Sequence, residues 1–182
     1  MDQPYSTNFN EKKTLNAVLY IANKLKRKDF HKIFKILYFA DRNHLSVYGR
    51  LITGDVYIAM EDGPVPSKLY DIFKSVRGDS YFNDNGVFSK YFKVVDWNLI
   101  NPIAQPNLKT LSKTDIENLD NSLALYGDMS WDEVREKSHD YAWINTVRGT
   151  PISFDNIVRE VGDDDAYLDY LKEQANLIQL FR

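Results

Sequence analysis

Between Tyr48 and Phe73 the chain reads turn, strand, rigid turn and helix start, with no spare residues between them. Val56, Ile58 and Met60 alternate with Asp55, Tyr57 and Ala59, the period-2 pattern of a half-buried strand. Gly63-Pro64-Val65-Pro66 stops it. Two prolines fix φ and remove two backbone donors, while Gly63 can take a positive φ. Pro66 holds Val65 extended and leads into a helix whose apolar face is Leu69, Ile72, Phe73 and Val76.

Helical patterns flank this block. Leu15, Val18, Leu19, Ala22 and Leu25 share one face, opened by the polar Thr7-Asn8. Phe30, Ile33, Phe34, Leu37 and Ala40 form a second stripe, with Asp29 as cap and Gly49 as the residue that ends the helix. Asn83-Asp84-Asn85-Gly86 predicts a turn, and 87–97 one or two strands; Pro102 and Pro106 fall in a connecting loop. Ser112 and Ser130 each precede an acidic residue three places on, the pattern of a capping box. Ser153 opens a short helix ending near Gly162, and a last amphipathic helix runs from Tyr167 to Phe181 behind Asp163-Asp164-Asp165. The expected fold is α+β, mostly α-helical: one domain over residues 1–182, with a small antiparallel β element inserted between N-terminal and C-terminal helices.

Composition removes several function classes. Hydrophobic residues make up 43% and aromatic residues 14%, too rich in packing groups for a disordered chain. There is no cysteine, hence no disulfide, thiol nucleophile or thiolate metal site. No apolar run is long enough to span a membrane, and the N-terminus lacks a basic segment followed by an apolar one, so a cytoplasmic location is expected. Charge is segregated: residues 1–50 hold ten Lys/Arg against four Asp/Glu, residues 111–182 seven against fifteen. Such a dipole steers a charged partner toward one end, unless the two ends neutralise each other in the fold.

No local motif calls for catalysis. The histidines are His31, His44 and His139, without the spacing of a zinc site. Asp41 and His44, three apart on a helix, suit a ligand or acid–base pair, or a carboxylate orienting a partly buried imidazole with both groups bonded to nearby backbone. Ser138-His139-Asp140 has the residue types of a hydrolase triad, but triad members converge from separate segments and no nucleophile elbow is present. No phosphate-cradling glycine loop appears, and no cofactor is expected.

Lys-Ile-Leu-Tyr-Phe-Ala-Asp-Arg-Asn-His at 35–44, Tyr48-Gly49, Thr-Gly-Asp-Val-Tyr-Ile-Ala-Met at 53–60 and Gly-Pro-Val-Pro at 63–66, in that order, resemble the Panacea domain, the SocA-like, phage-associated family. Ser138-His139-Asp140 and Trp143 extend the likeness more loosely. The resemblance places the family core at about 10–145, with C-terminal helices at 153–181 packed on it. It implies an antitoxin that neutralises a cognate protein toxin by direct binding, not an enzyme. Asp41, His44, Tyr48, Gly49, Gly54, Asp55, Tyr57, Gly63, Pro64, Val65 and Pro66 would be its scaffold. Tyr57, Glu61, Asp62, Tyr81, Tyr91 and Trp97, on the β element or beside its turns, are the candidate partner contacts.

Three other roles are weighed. An adaptor delivering the bound toxin to an AAA+ protease would need a second binding surface. A nucleic-acid binder draws on Lys24, Lys26, Arg27, Lys28, Lys32 and Lys35, against the overall acidity of the chain. The resemblance implies a DNA-binding domain before this core in some members, and with the likeness starting at about residue 10 none is expected here. A hydrolase or metalloenzyme would use His44 and His139. No membrane partner is expected.

Overall fold

A computed structural model describes residues 8–80, 84–160 and 165–180. Its organising element is a central helix, α2 (Phe30–Tyr48), in which 13 of 19 residues are buried. A helix buried on nearly every side must be covered from several directions. On one side α1 (Glu11–Lys24), α3 (Ser67–Arg77) and α4 (Lys113–Tyr126) enclose a core with Ile33, Phe34 and Leu37. On the other, α5 (Trp131–Ser138), α6 (Tyr141–Ile144), α7 (Phe154–Glu160) and α8 (Asp165–Leu180) close over Tyr38, Phe39 and Leu45. No described helix is long and apolar enough to cross a membrane.

Two antiparallel hairpins are set among the helices. In the first, Gly63–Pro66 is a strand rather than the expected rigid turn; in the second, a strand within the expected 87–97 pairs with one that takes in Pro102, expected in a loop. β1 (Tyr57–Met60) pairs with β2 (Gly63–Pro66), and β3 (Phe92–Val95) with β4 (Leu99–Pro102). The outer edge of β1 is covered by the segment 149–152, through Gly149 N–H to Ala59 O, Ala59 N–H to Thr150 O and Ile152 N–H to Tyr57 O. β2 contributes two prolines, which have no N–H to offer a further strand. β4 is flanked by the start of α2, where Ile100 N–H reaches Lys28 O and Phe30 N–H reaches Asn98 O.

The caps follow the sequence closely. The Asp29 carboxylate accepts from Lys32 N–H, Gly49 ends α2 at φ +68°, and both capping boxes form at Ser112 and Ser130. Ser153 Oγ accepts from Asn156 N–H at the start of α7. The cap of α1 is Asn10 rather than Thr7-Asn8. α3 takes its cap from a distance: Pro66 has no capping side chain, and the buried Asp55 carboxylate accepts from Lys68 and Leu69 N–H at 3.0 and 2.9 Å. Gly162, Asp163, Asp164 and Phe181 lie outside the described residues.

In β1 the faces are the reverse of the sequence pattern. Tyr57 and Ala59 are buried at 1% and 0% exposure, while Met60 is 43% exposed. One polar group decides this. The Asp41 carboxylate, fully buried on α2, accepts from the Tyr57 hydroxyl (2.8 Å), Thr53 Oγ1 (2.6 Å) and the N–H groups of Ile52 (2.6 Å) and Thr53 (3.1 Å). A one-residue slip would carry the phenol outward and leave a buried carboxylate short of a donor.

Two predictions follow from these positions. Replacing Asp41 with Ala orphans four donors and should lower stability by about 3 kcal/mol or more. Burial pushes the Asp41 carboxyl up to about 6, against the pull of its four donors. Because that lies above the ordinary 3.8, the folded chain binds the proton more tightly than the unfolded one. The group's contribution is full below about pH 4 and lost as pH rises through 6. The stability difference between the wild type and Asp41→Asn, measured by denaturant titration, should therefore shrink over this window and stay level above it. A difference independent of pH refutes the assignment. Second, Gly63 has φ +99°, and a Cβ there would lie 2.3 Å from Ser138 Oγ and 2.8 Å from Lys35 Nζ. Gly63→Val should reduce the melting temperature or the soluble yield, and an unaltered melting curve refutes this.

Candidate functional site

The tip of the β1–β2 hairpin, Met60-Glu61-Asp62, is exposed, whereas Gly63 and Pro64 directly after it are buried. What fixes the tip lies underneath. Lys35 of α2 has no exposed surface and donates from Nζ to Pro64 O at 2.9 Å. Burial pulls its ammonium down to about 7, with Asp62 opposing the shift and Arg135 adding to it. The absence of a side chain at Gly63 lets Lys35 and Ser138 come this close to the strand.

Aromatic rings flank the tip on both sides, each held by a charged or imidazole neighbour. On one side the Trp131 ring stacks on His31 at 4.6 Å, and His31 Nε2 donates to Asp62 O at 3.2 Å. Arg135 pairs with Asp62 at 2.9 Å and with Glu136 at 3.2 Å, its guanidinium 5.8 Å from the Trp131 ring. On the other side Trp143 donates from Nε1 to Met60 O at 2.8 Å. Its ring is sandwiched between His139, near-parallel at 3.7 Å, and the Arg148 guanidinium at 3.2 Å. Burial lowers His31 to about 4, and burial with Arg135 nearby lowers His139. Both imidazoles are accordingly neutral near pH 7.

The remaining candidates divide sharply by exposure. Tyr57 and Asp55 are buried ties inside the fold, so Tyr57 is not an exposed contact. Glu61 and Asp62 are on the tip. Tyr91 is partly buried against the first core. Trp97 is 68% exposed in the β3–β4 turn, at φ +64° after Asp96 at φ +46°, with the Arg77 guanidinium 4.4 Å from its ring. Tyr81 lies outside the described residues. Gly54, at φ +67°, approaches so closely that a Cβ would meet Asn8 O at 2.2 Å. Pro66 is buried, and Val65 packs against the core.

Asp41 and His44 do not work as a pair. The imidazole Nδ1–H of His44 donates to Arg50 O at 2.8 Å, and Nε2 lies 3.0 Å from Thr114 Oγ1, which can donate to it. The carboxylate beside it is Asp115, at 3.3 Å, itself tied to Lys13 at 2.6 Å. Burial lowers the His44 pKa, so the imidazole is neutral and Nε2 acts as the acceptor. Tyr48 leans its ring against this imidazole at 4.7 Å. Helical spacing put Asp41 and His44 on neighbouring turns, but their side chains serve different neighbours.

Nor do Ser138, His139 and Asp140 converge. Ser138 Oγ donates to Arg135 O at 2.8 Å. The Asp140 carboxylate caps α6 at Trp143 N–H and accepts from the Tyr38 hydroxyl and Arg42, both at 2.8 Å. Among the described residues no group of three or more His, Cys, Asp or Glu could hold a metal ion. Trp131, Arg135, Ile144 and Val147 were not singled out by sequence. Their signal was weak: single exposed or half-buried residues on short elements or in a loop form no local pattern.

A scan against family models matches residues 33–144 to the description "Antitoxin SocA-like, Panacea domain". Searches of curated proteins and of solved structures return no match. The matched span begins in α2 and ends with α6, so it contains the Asp41 ties, both hairpins and Trp143. Covering more than half of the chain, it shows that the protein belongs to the SocA-like Panacea domain family.

Proposed function

We propose that the protein is an antitoxin that neutralises a cognate protein toxin by direct binding, without chemistry of its own. The observation that carries this reading is the family match over residues 33–144. The physical character of the tip supports it. A contact surface that is already ordered loses little conformational freedom on association. Here Met60 O, Asp62 and Pro64 O are each bonded to a neighbouring helix or helix start, through Trp143, Arg135 and Lys35. The surface is therefore presented in one shape, and bound toxin would be blocked by occlusion or held inactive.

Several of the basic residues that suggest nucleic acid are engaged within the fold, which favours the antitoxin reading over a phosphate-binding one. Lys24 pairs with Asp120 at 2.6 Å and Lys26 with Asp128 at 3.1 Å. Lys32 donates to the carbonyls of Tyr126, Gly127 and Met129 at the end of α4, and Lys35 is buried. A surface stripe for phosphates needs these cations outward and unpaired.

The test is co-expression with the protein encoded in the adjacent reading frame. Growth arrest by that protein alone, relief on co-expression and a co-purifying complex with undiminished toxin are the expected results. Relief accompanied by disappearance of the toxin, and abolished in a protease-deficient host, would replace neutralisation by the adaptor role. Neither relief nor complex would overturn the antitoxin reading.

A further inference from the structure

We infer that the hairpin tip and the apolar segment beside it form the toxin-binding surface, and that it fits a cationic protein face with an apolar centre. This rests on the antitoxin reading. Three observations converge on it. Ile144 and Val147 are 62% and 75% exposed, and the chain from Trp143 to Thr150 runs alongside β1, tied to Met60 and Ala59. With Met60 at 43% and Trp131 at 41%, the latter stacked on the His31 that bonds Asp62 O, exposed apolar groups extend across the tip. An interface centre requires such a set, and aromatic anchors already held in place are its most effective members.

The charges around these groups state what the partner carries. Glu61, Asp62, Asp132 and Glu136 outnumber Arg135 and Arg148, while His31 and His139 are neutral near pH 7. Arg135 is shared between Asp62 and Glu136, and Arg148 donates to the carbonyls of Trp143 and Thr146. Glu61 and Asp132 are exposed and make no charge pair among the described residues. Carboxylates at the rim with neutralised or stacked guanidiniums behind them complement lysines or arginines on the partner. The exposed Trp97 belongs to the other hairpin and provides the internal comparison.

The binding of the adjacent-frame protein to the full chain is measured by titration calorimetry at two salt concentrations. The variants are Ile144→Glu with Val147→Glu, Glu61→Lys, and Trp97→Ala, each checked for an unchanged circular dichroism melt. The double variant should weaken binding about 100-fold or more. Glu61→Lys should weaken it about tenfold and flatten its salt dependence, and Trp97→Ala should leave it unchanged. Wild-type affinity in the double variant and in Glu61→Lys, or loss confined to Trp97→Ala, overturns the surface while the antitoxin reading stands. A wild-type dimer that Val147→Glu converts to monomer also overturns it, by assigning the face to a second copy. No binding by the wild type removes the antitoxin reading itself.

Discussion

The fold depends on burying one carboxylate. Asp41 sits on the most enclosed helix of the protein, and its oxygens are met by two N–H groups and two hydroxyls from residues 52–57. An ionised carboxylate moved from water into a protein interior is strongly unfavourable unless donors replace its hydration. Satisfying it fixes where the chain returns after α2, and so which face of β1 turns inward. Hydrophobic burial drives collapse around α2, but apolar contacts alone tolerate many registers. The polar tie selects one of them.

The same device recurs along α2. Lys32 reaches the carbonyls at the end of α4, Lys35 the β2 strand, and Arg42 pairs with Asp140 at 2.8 Å and Glu160 at 3.2 Å. His44 holds the Arg50 carbonyl and meets Thr114 of α4. The polar side chains of this otherwise apolar helix thus tie it to several distant parts of the chain. The segregation of charge in the sequence finds its explanation here and in α1. Lys13, Lys24, Lys26, Arg42 and Arg50 all meet carboxylates of the C-terminal third. The exposed pairs among them contribute little individually. The buried ones, centred on Asp115 and Asp140, act as register marks between distant segments.

What the sequence disclosed was local. Helix ends at Asp29, Gly49, Ser112 and Ser130 were legible because a cap is a property of a few adjacent residues. The Gly63–Pro66 segment misled in part: read as a rigid turn, it forms strand β2, and the turn lies just before it at Glu61-Asp62. The orientation of β1 was not legible, since Tyr57 faces inward through a bond to a residue sixteen positions earlier. Nor was the distant cap that Asp55 provides to α3. For Asp41 and His44 the bonds to nearby backbone were legible, and they form at Ile52, Thr53 and Arg50, but the carboxylate beside the imidazole proves to be Asp115, seventy-one positions away. The site suffered likewise. Trp131 and Trp143 gain their meaning only when α5 and α6 bring them to either side of the hairpin tip.

The bonds that hold the tip and the surface it exposes are consequently carried by different atoms. The ties made by Asp41, Lys35 and Asp140 use side chains that are buried and point to backbone or to one another. Met60, Glu61, Ile144 and Val147 project outward, and the tip is held through backbone oxygens such as Met60 O and Pro64 O rather than through those side chains. A substitution at Glu61 or Val147 therefore changes the chemistry offered to a partner without disturbing the bonds that hold the tip. A substitution at Asp41 does the opposite. A scaffold built in this way can keep its interior while its contact residues are exchanged. That separation suits the antitoxin role proposed above, in which a partner would meet the same backbone whichever side chains it displays.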